Sequence, residues 1–131
     1  MNNKVKVLIG DDTAAGVSIA NKLREKGMYA YTRRKDCSVI VEAVRNDAPD
    51  AVVLDITVPD SDAVAIMKKV RDLGVKFPAF IVTSEFDNEF IERQVRENGG
   101  AKFVLKPYDS DDMFSAITSA LGDRVNSLSD D

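Results

Sequence analysis

The sequence predicts an α/β domain built on one doubly wound, five-stranded parallel sheet with helices on both faces. Three observations carry that reading. Five short β-rich runs alternate strictly with five segments of helical period. Several of the runs are near-continuously apolar, as strands covered on both sides are. The connections are short, so each helix must carry the chain back across the sheet in a right-handed crossover. A chain of 131 residues fits one such domain, with enough length to bury a core.

In chain order, Lys4 to Ile9 is the first β-rich run and stops at Gly10, with Asp11, Asp12 and Thr13 directly behind it. Gly16, Ile19, Ala20 and Leu23 then repeat at i, i+3, i+4, i+7, and Lys26-Gly27 closes that helix with a left-handed cap. Met28 to Thr32 reads as a second, less apolar strand. Cys37, Ile40, Val41 and Val44 mark the second helix, and Pro49 breaks the chain before Ala51-Val-Val-Leu-Asp55. That third run carries a carboxylate to its C-terminal end, with Pro59 stopping it. Ala63, Ile66, Met67 and Val70 give the third helix, ended by Gly74. Ala79 to Thr83 is another buried-strand run, and it finishes on a hydroxyl.

Residues 88–98 predict a mostly charged helix with an apolar stripe of Phe90, Ile91 and Val95, capped by Gly99-Gly100. Lys102 to Lys106 is the last strand, broken by Pro107. Met113, Phe114, Ile117 and Leu121 form a fifth helix that stops at Gly122. The domain is therefore expected over residues 1–122. Residues 123–131 are expected to be a polar tail or the start of a linker to an output domain. With five strands the flavodoxin-like order 2-1-3-4-5 follows, its switch point lying between strands 1 and 3.

Composition narrows the function. Apolar residues make up 44% and charged residues 31%, an ordinary globular balance. The net charge of −4 argues against direct nucleic-acid binding by this segment, because phosphate affinity needs a basic surface. One cysteine, Cys37, precludes an intrachain disulfide and suits a reducing compartment, and its place on the apolar face of the second helix reads as packing. There is no histidine, so imidazole catalysis and imidazole metal ligation are both excluded and any metal must be held by oxygen. No run approaches the about 20 apolar residues of a membrane span. No signal peptide opens the chain, so the expected location is the cytoplasm, away from any membrane.

Four strands end on a functional group: Asp11-Asp12 after the first, Asp55 on the third, Thr83 on the fourth and Lys106 on the fifth. Taken singly these are bland, since an acidic pair caps a helix and Lys-Pro makes a turn. In the order 2-1-3-4-5 they meet at one rim beside the switch point, where ligands of open α/β sheets bind. Three carboxylates together repel one another but make a cradle for Mg²⁺, which takes one or two carboxylates with retained waters and a phosphate. The ammonium and hydroxyl suit an anion. A carboxylate nucleophile, a metal and a lysine are the parts needed to transfer a phosphoryl group to an aspartate without histidine.

The acidic pair Asp11-Asp12, the Asp55…Pro59 loop, Thr83-Ser84 and Lys106-Pro107 stand in the order and spacing of a known family. From about Lys4 to Leu121 the chain resembles the response regulator receiver domain of bacterial two-component signalling. The resemblance implies that Asp55 accepts a phosphoryl group from the phosphohistidine of a histidine kinase or phosphotransfer protein. Asp12 and Asp55, with the Thr57 carbonyl, would bind Mg²⁺ directly, and Asp11 would act through water. Thr83 and Lys106 would hold phosphoryl oxygens, with Thr57, Ser84 and Glu85 flanking them, and the Lys106-Pro107 bond would be cis.

Phe103 falls at the family's switch aromatic. It implies repacking of a face made by helix 4, strand 5 and helix 5, through which a homodimer could form. The implied function is a phosphorylation-activated signalling receiver that catalyses its own phosphorylation and dephosphorylation rather than turning over a substrate. It would stand alone or form the N-terminal part of a transcriptional regulator.

Two departures from the family pattern bear on structure. Ala63 stands where glycine is usual four residues after the proline, and Gly10 stands where a larger apolar residue is commoner. They are expected to alter the loop and to loosen the strand end, respectively. Two other readings stay open. A Mg²⁺-dependent phosphohydrolase of the haloacid-dehalogenase kind would use Asp55 in turnover, but such enzymes carry a second Asp two residues on, where this chain has Thr57. A pseudo-receiver acting only as an interaction module normally lacks an acid or the lysine, and here none is missing.

Overall fold

A computed structural model describes residues 4–58 and 61–128. Pro59, to which the sequence reading assigned the end of the Asp55 loop, lies outside the described residues, as do residues 129–131. The strands are β1 (Lys6–Ile9), β2 (Tyr29–Thr32), β3 (Ala51–Asp55), β4 (Ala79–Ser84) and β5 (Gly100–Leu105). The helices are α1 (Ala14–Glu25), α2 (Cys37–Asp47), α3 (Ala63–Asp72), α4 (Glu89–Glu97) and α5 (Ser110–Leu128). All pairings in the main sheet are parallel, in the order β2-β1-β3-β4-β5. A two-stranded antiparallel ribbon, Thr57–Val58 against Ser61–Asp62, joins β3 to α3.

The apolar runs do what their composition requires. Every residue of Ala79–Ser84 is buried, and so are the first four of Ala51–Asp55. One face of the sheet packs on α2, α3 and α4 through Ile40, Val44, Ile66, Met67, Val70 and Val95. The other packs on α1 and α5 through Ala20, Leu23, Met113, Ile117 and Ala120. All four predicted anchors of α3 are buried. Asp36, Asp62 and Asn88 cap α2, α3 and α4 by accepting backbone N–H bonds, which satisfies donors that helix geometry leaves open. Gly27 and Gly74 leave their helices at φ +98° and +72°, as the turn signals predict.

Four local expectations are corrected. Helix α5 does not stop at Gly122: its backbone stays helical to Leu128, because a Cβ-less residue on an open face lowers helix propensity without blocking it. Phe90 is not on the buried stripe of α4; Val95 is buried and Ile91 partly so, while Phe90 is 62% exposed. Gly10 does not loosen the end of β1. A Cβ there would lie 2.9 Å from Leu54 Cδ2 and 3.0 Å from Ile40 Cδ1, so neighbouring side chains already fill the space, and Gly10 N–H donates to Val53 O at 2.9 Å. Ala63 needs no left-handed backbone. Among the described residues the only non-glycine at positive φ is Ala48, at +47°, and Ala63 is the fully buried first residue of α3.

Candidate functional site at the C-terminal rim

The parallel sheet delivers its strand ends to one rim, and register decides which side chains meet there. Asp55, last in β3, is paired in register with Thr83 of β4. Lys106 follows directly on β5, with its N–H donating to Ser84 O at 2.8 Å, and the Lys106-Pro107 bond is cis. The consequences appear at Asp55. Its Oδ2 receives the Lys106 ammonium and, at 3.4 Å, the Thr83 hydroxyl; its Oδ1 accepts from Thr57 N–H at 3.0 Å and Thr57 Oγ1 at 2.8 Å. Thr83 Oγ1 also lies 3.5 Å from Leu54 O, so this hydroxyl is held by two long contacts rather than one short bond.

The electrostatics follow from those contacts. Burial pushes the Asp55 carboxyl up, but the Lys106 ammonium and the two Thr57 donors outweigh it, and the acid lies below the ordinary aspartate range. Lys106 is displaced the other way: the bond to Asp55 raises it, against the opposing effect of burial. Tyr108 is raised mainly by burial, with the Lys106 charge opposing. Asp55 is therefore an anion at neutral pH, pointing an oxygen at a cation.

These groups open on a cavity of about 650 Å³, lined by Asp11, Asp55, Thr83, Glu85, Lys106 and by apolar surface from α1 and the β5–α5 loop. Asp11 comes from the β1–α1 turn, where its Oδ1 accepts from Thr13 N–H at 2.9 Å and Thr13 Oγ1 at 2.6 Å. Asp12 is exposed beside it and does not line the cavity. Ser84, placed by the sequence beside the site, is fully buried and turned away from it: its Oγ accepts from Phe86 N–H at 2.9 Å and donates to Phe86 O at 3.1 Å. Phe103 is half-buried, in register with Val82, and borders a separate cavity of about 220 Å³ between α4 and β5.

Several lining residues were not placed in the site from sequence, among them Gly16, Lys35 and Tyr108. Tyr108 could have been found by its place two residues after Lys106. Gly16 hid as a helix-face position, although a Cβ there would lie 1.8 Å from the Asp11 carbonyl oxygen. Lys35 sits in the run Arg33-Arg34-Lys35, which has no periodicity to assign it to a site.

Among the described residues no group of three or more acidic, histidine or cysteine side chains is drawn together as a metal centre. The donors facing the cavity nevertheless suit one metal class. Asp11 and Asp55 both line the cavity and offer hard carboxylate oxygens, a donor type that suits Mg²⁺ rather than a soft metal.

Comparison with known proteins identifies the class to which this doubly wound sheet and its acid–hydroxyl–lysine rim belong. Residues 7–118 match the family model of the response regulator receiver domain, so the chain belongs to that family, the receiver domains of two-component signalling. It is similar to the chemotaxis protein CheY of Bacillus subtilis, 25% identical over 117 residues that cover 88% of this chain and 97% of that protein. It is also similar to the alkaline phosphatase synthesis transcriptional regulatory protein PhoP of Bacillus subtilis, at 24% identity over 88% of this chain but only 48% of the relative. Among solved structures, a CheY-like receiver domain protein from Methanospirillum hungatei superposes with a TM-score of 0.81 at 18% identity, covering 95% of this chain and 98% of that one. The chain thus spans nearly the whole of one relative and about half of another. No helix among the described residues is long and apolar enough to cross a membrane.

Proposed function

We propose that this domain is switched by phosphorylation of Asp55. The observation that carries the reading is the convergence on one carboxylate of the Lys106 ammonium and the Thr83 hydroxyl, inside a cavity that Asp11 also lines. A carboxylate that is ionised, held in one orientation by Thr57 and faced by a fixed cation is prepared to attack phosphorus. Lys106 would pass from Asp55 to an oxygen of the incoming phosphoryl group, so the charge that now stabilises the carboxylate would stabilise the negative charge on the transferred phosphoryl oxygens. The Thr83 hydroxyl, held only by long contacts, is free to donate to the same group.

By the family resemblance Mg²⁺ would be held by Asp55 with the Thr57 carbonyl, by Asp11 through water, and by Asp12, which lies exposed beside the cavity and would have to turn toward it; when bound it would neutralise charge on the phosphoryl oxygens. Thr57 and Glu85 would flank the phosphoryl group. The donor is a histidine kinase or phosphotransfer protein, and the setting is the cytoplasm. Thr83 moving toward the phosphoryl group would let Phe103 turn inward, changing the face of α4, β5 and α5. Exposed Phe86, Phe90 and Leu105 in that region supply apolar surface for a partner or a second copy.

The test is intact-protein mass spectrometry after incubation with acetyl phosphate and Mg²⁺. One phosphoryl adduct is expected on the wild type and none on Asp55→Asn. An adduct on the Asn variant, or none on the wild type with any donor or kinase, would overturn the reading. Sedimentation before and after phosphorylation tests the dimer.

A further inference from the structure

The charges around the cavity pose a problem for an anionic donor. Asp11, Asp55 and Glu85 line it, and the Lys106 ammonium is already committed to Asp55. A second lysine, Lys35, also lines it. Lys35 lies in the loop between β2 and α2, so it enters from the edge of the sheet opposite to β5, with the acids of the β1 and β3 ends between the two lysines. Its neighbours in the basic run are occupied. Arg33 stacks over the Tyr31 ring at 4.8 Å and reaches Asp47 at 4.0 Å, and Arg34 pairs with Asp36 at 3.6 Å. Among the described residues Lys35 forms no ion pair.

We propose that Lys35 is the donor-capturing residue of this site: its free charge draws a small dianionic acyl phosphate into the cavity and orients it for Asp55. This rests on Asp55 being the phosphoacceptor. In the step served, a carboxylate oxygen of Asp55 forms a bond to phosphorus. The bond from phosphorus to the acyl oxygen breaks, and its electron pair leaves on the carboxylate of the donor. No proton, oxidant or further reactant is needed. Lys35 acts on encounter and orientation, a role in which charge matters more than the shape of the head group.

The experiment measures the initial rate of phosphorylation against acetyl phosphate concentration, with Mg²⁺, for wild type, Lys35→Ala, Lys35→Glu and Lys35→Arg at low and high salt. The second-order rate constant is expected to fall about five-fold in Lys35→Ala and further in Lys35→Glu, and to return in Lys35→Arg. The deficit should shrink at about 1 M salt, where the Debye length is about 3 Å. A Lys35→Glu protein phosphorylated as fast as wild type at low salt would overturn the assignment, as would a deficit in Lys35→Ala that salt leaves unchanged. A wild type that takes no phosphoryl group would instead overturn the phosphoacceptor reading on which the assignment stands.

Discussion

The ammonium of Lys106 rests against Oδ2 of Asp55, tying together the ends of β3 and β5, the two strands that flank β4. The Asp55 side chain is 13% exposed and that of Lys106 35%, so the pair is only partly screened by water. Each partner holds the other's charge in place. A buried acid without its cation is costly, so the contact that orders this rim also supports the fold.

Lys106→Met removes the ammonium that holds Asp55 down while leaving its burial intact, so the Asp55 carboxyl should move up. In the wild type Asp55 is depressed, so its contribution to stability is present above the unfolded value of about 3.9 and is lost as pH falls through the lower folded value. Lys106 is raised, so its contribution is present below about 10.4 and is lost as pH climbs through the higher folded value. The variant should therefore be less stable at neutral pH, by about 1–2 kcal/mol after allowance for exposure. The gap should close toward acid. Urea denaturation of both proteins across the pH range checks this, and carbon NMR of the Asp55 carboxyl checks the shift directly.

A second carboxylate works at the opposite end of the sheet. Asp50 accepts from Lys6 N–H at 2.8 Å and from Lys76 Nζ at 2.9 Å, while its own backbone bonds both Lys6 O and Ala79 N–H. It thus staples β1, β3 and β4 where they enter the sheet. Burial pushes its carboxyl up, but the Lys6 N–H and the Lys76 ammonium outweigh that and hold it below the usual carboxylate range. Asp50→Ala should cost about 1–2 kcal/mol at pH 7 through the unsatisfied Lys6 N–H and the lost ion pair. Because the folded value is the lower one, the difference should fade below about pH 4. Phosphorylation of Asp55 should be unaffected, which separates this staple from the site.

The parts that were legible in the sequence share one property: each ends an apolar run. Asp55, Thr83 and Lys106 could be placed at one rim because buried parallel strands have a recognisable composition and their C-terminal ends a known use. What escaped depends on side-chain direction and three-dimensional proximity. Ser84 follows Thr83 in sequence, yet the pleat turns its hydroxyl to Phe86. Lys35 belongs to a charge run that carries no period. Phe90 looks like part of the α4 stripe, but that helix buries only a narrow seam, which Val95 and Ile91 already fill.

Ala48 follows α2 in the left-handed region, at φ +47° and ψ 56°, and its side chain is exposed. Its N–H donates to Val44 O at 3.1 Å, so the conformation closes the helix. An alanine there bears the Cβ penalty that glycine avoids, about 1–2 kcal/mol, part of which glycine returns as chain entropy in the unfolded state. Ala48→Gly should therefore raise stability by roughly 0.5–1 kcal/mol, seen as a higher urea midpoint at unchanged slope. An unchanged or lower midpoint would show that the turn carries no such penalty.

Gly16 offers the opposite case, where adding one carbon should break the site. It is buried in the first turns of α1, and a Cβ built on it would lie 1.8 Å from the carbonyl oxygen of Asp11 and 2.7 Å from its carbonyl carbon. Those are backbone atoms, so no rotamer change relieves the clash; the β1–α1 turn or the helix itself must move. Gly16→Ala gains about 1 kcal/mol of helix propensity. Overpacking against backbone costs more than that, so a net loss of about 1–2 kcal/mol is expected. The displacement falls on Asp11, whose carboxylate the Thr13 turn holds toward the cavity. Mg²⁺ affinity should therefore drop more than stability does. Gly16→Ser, which adds the same Cβ, should behave alike, whereas alanine at the neighbouring exposed Val17, which does not line the cavity, should leave Mg²⁺ affinity unchanged. Calorimetric Mg²⁺ titration beside thermal melts distinguishes the two effects. A Gly16→Ala protein with wild-type melting and wild-type Mg²⁺ binding would mean that the Asp11 carbonyl does not sit against α1 as described.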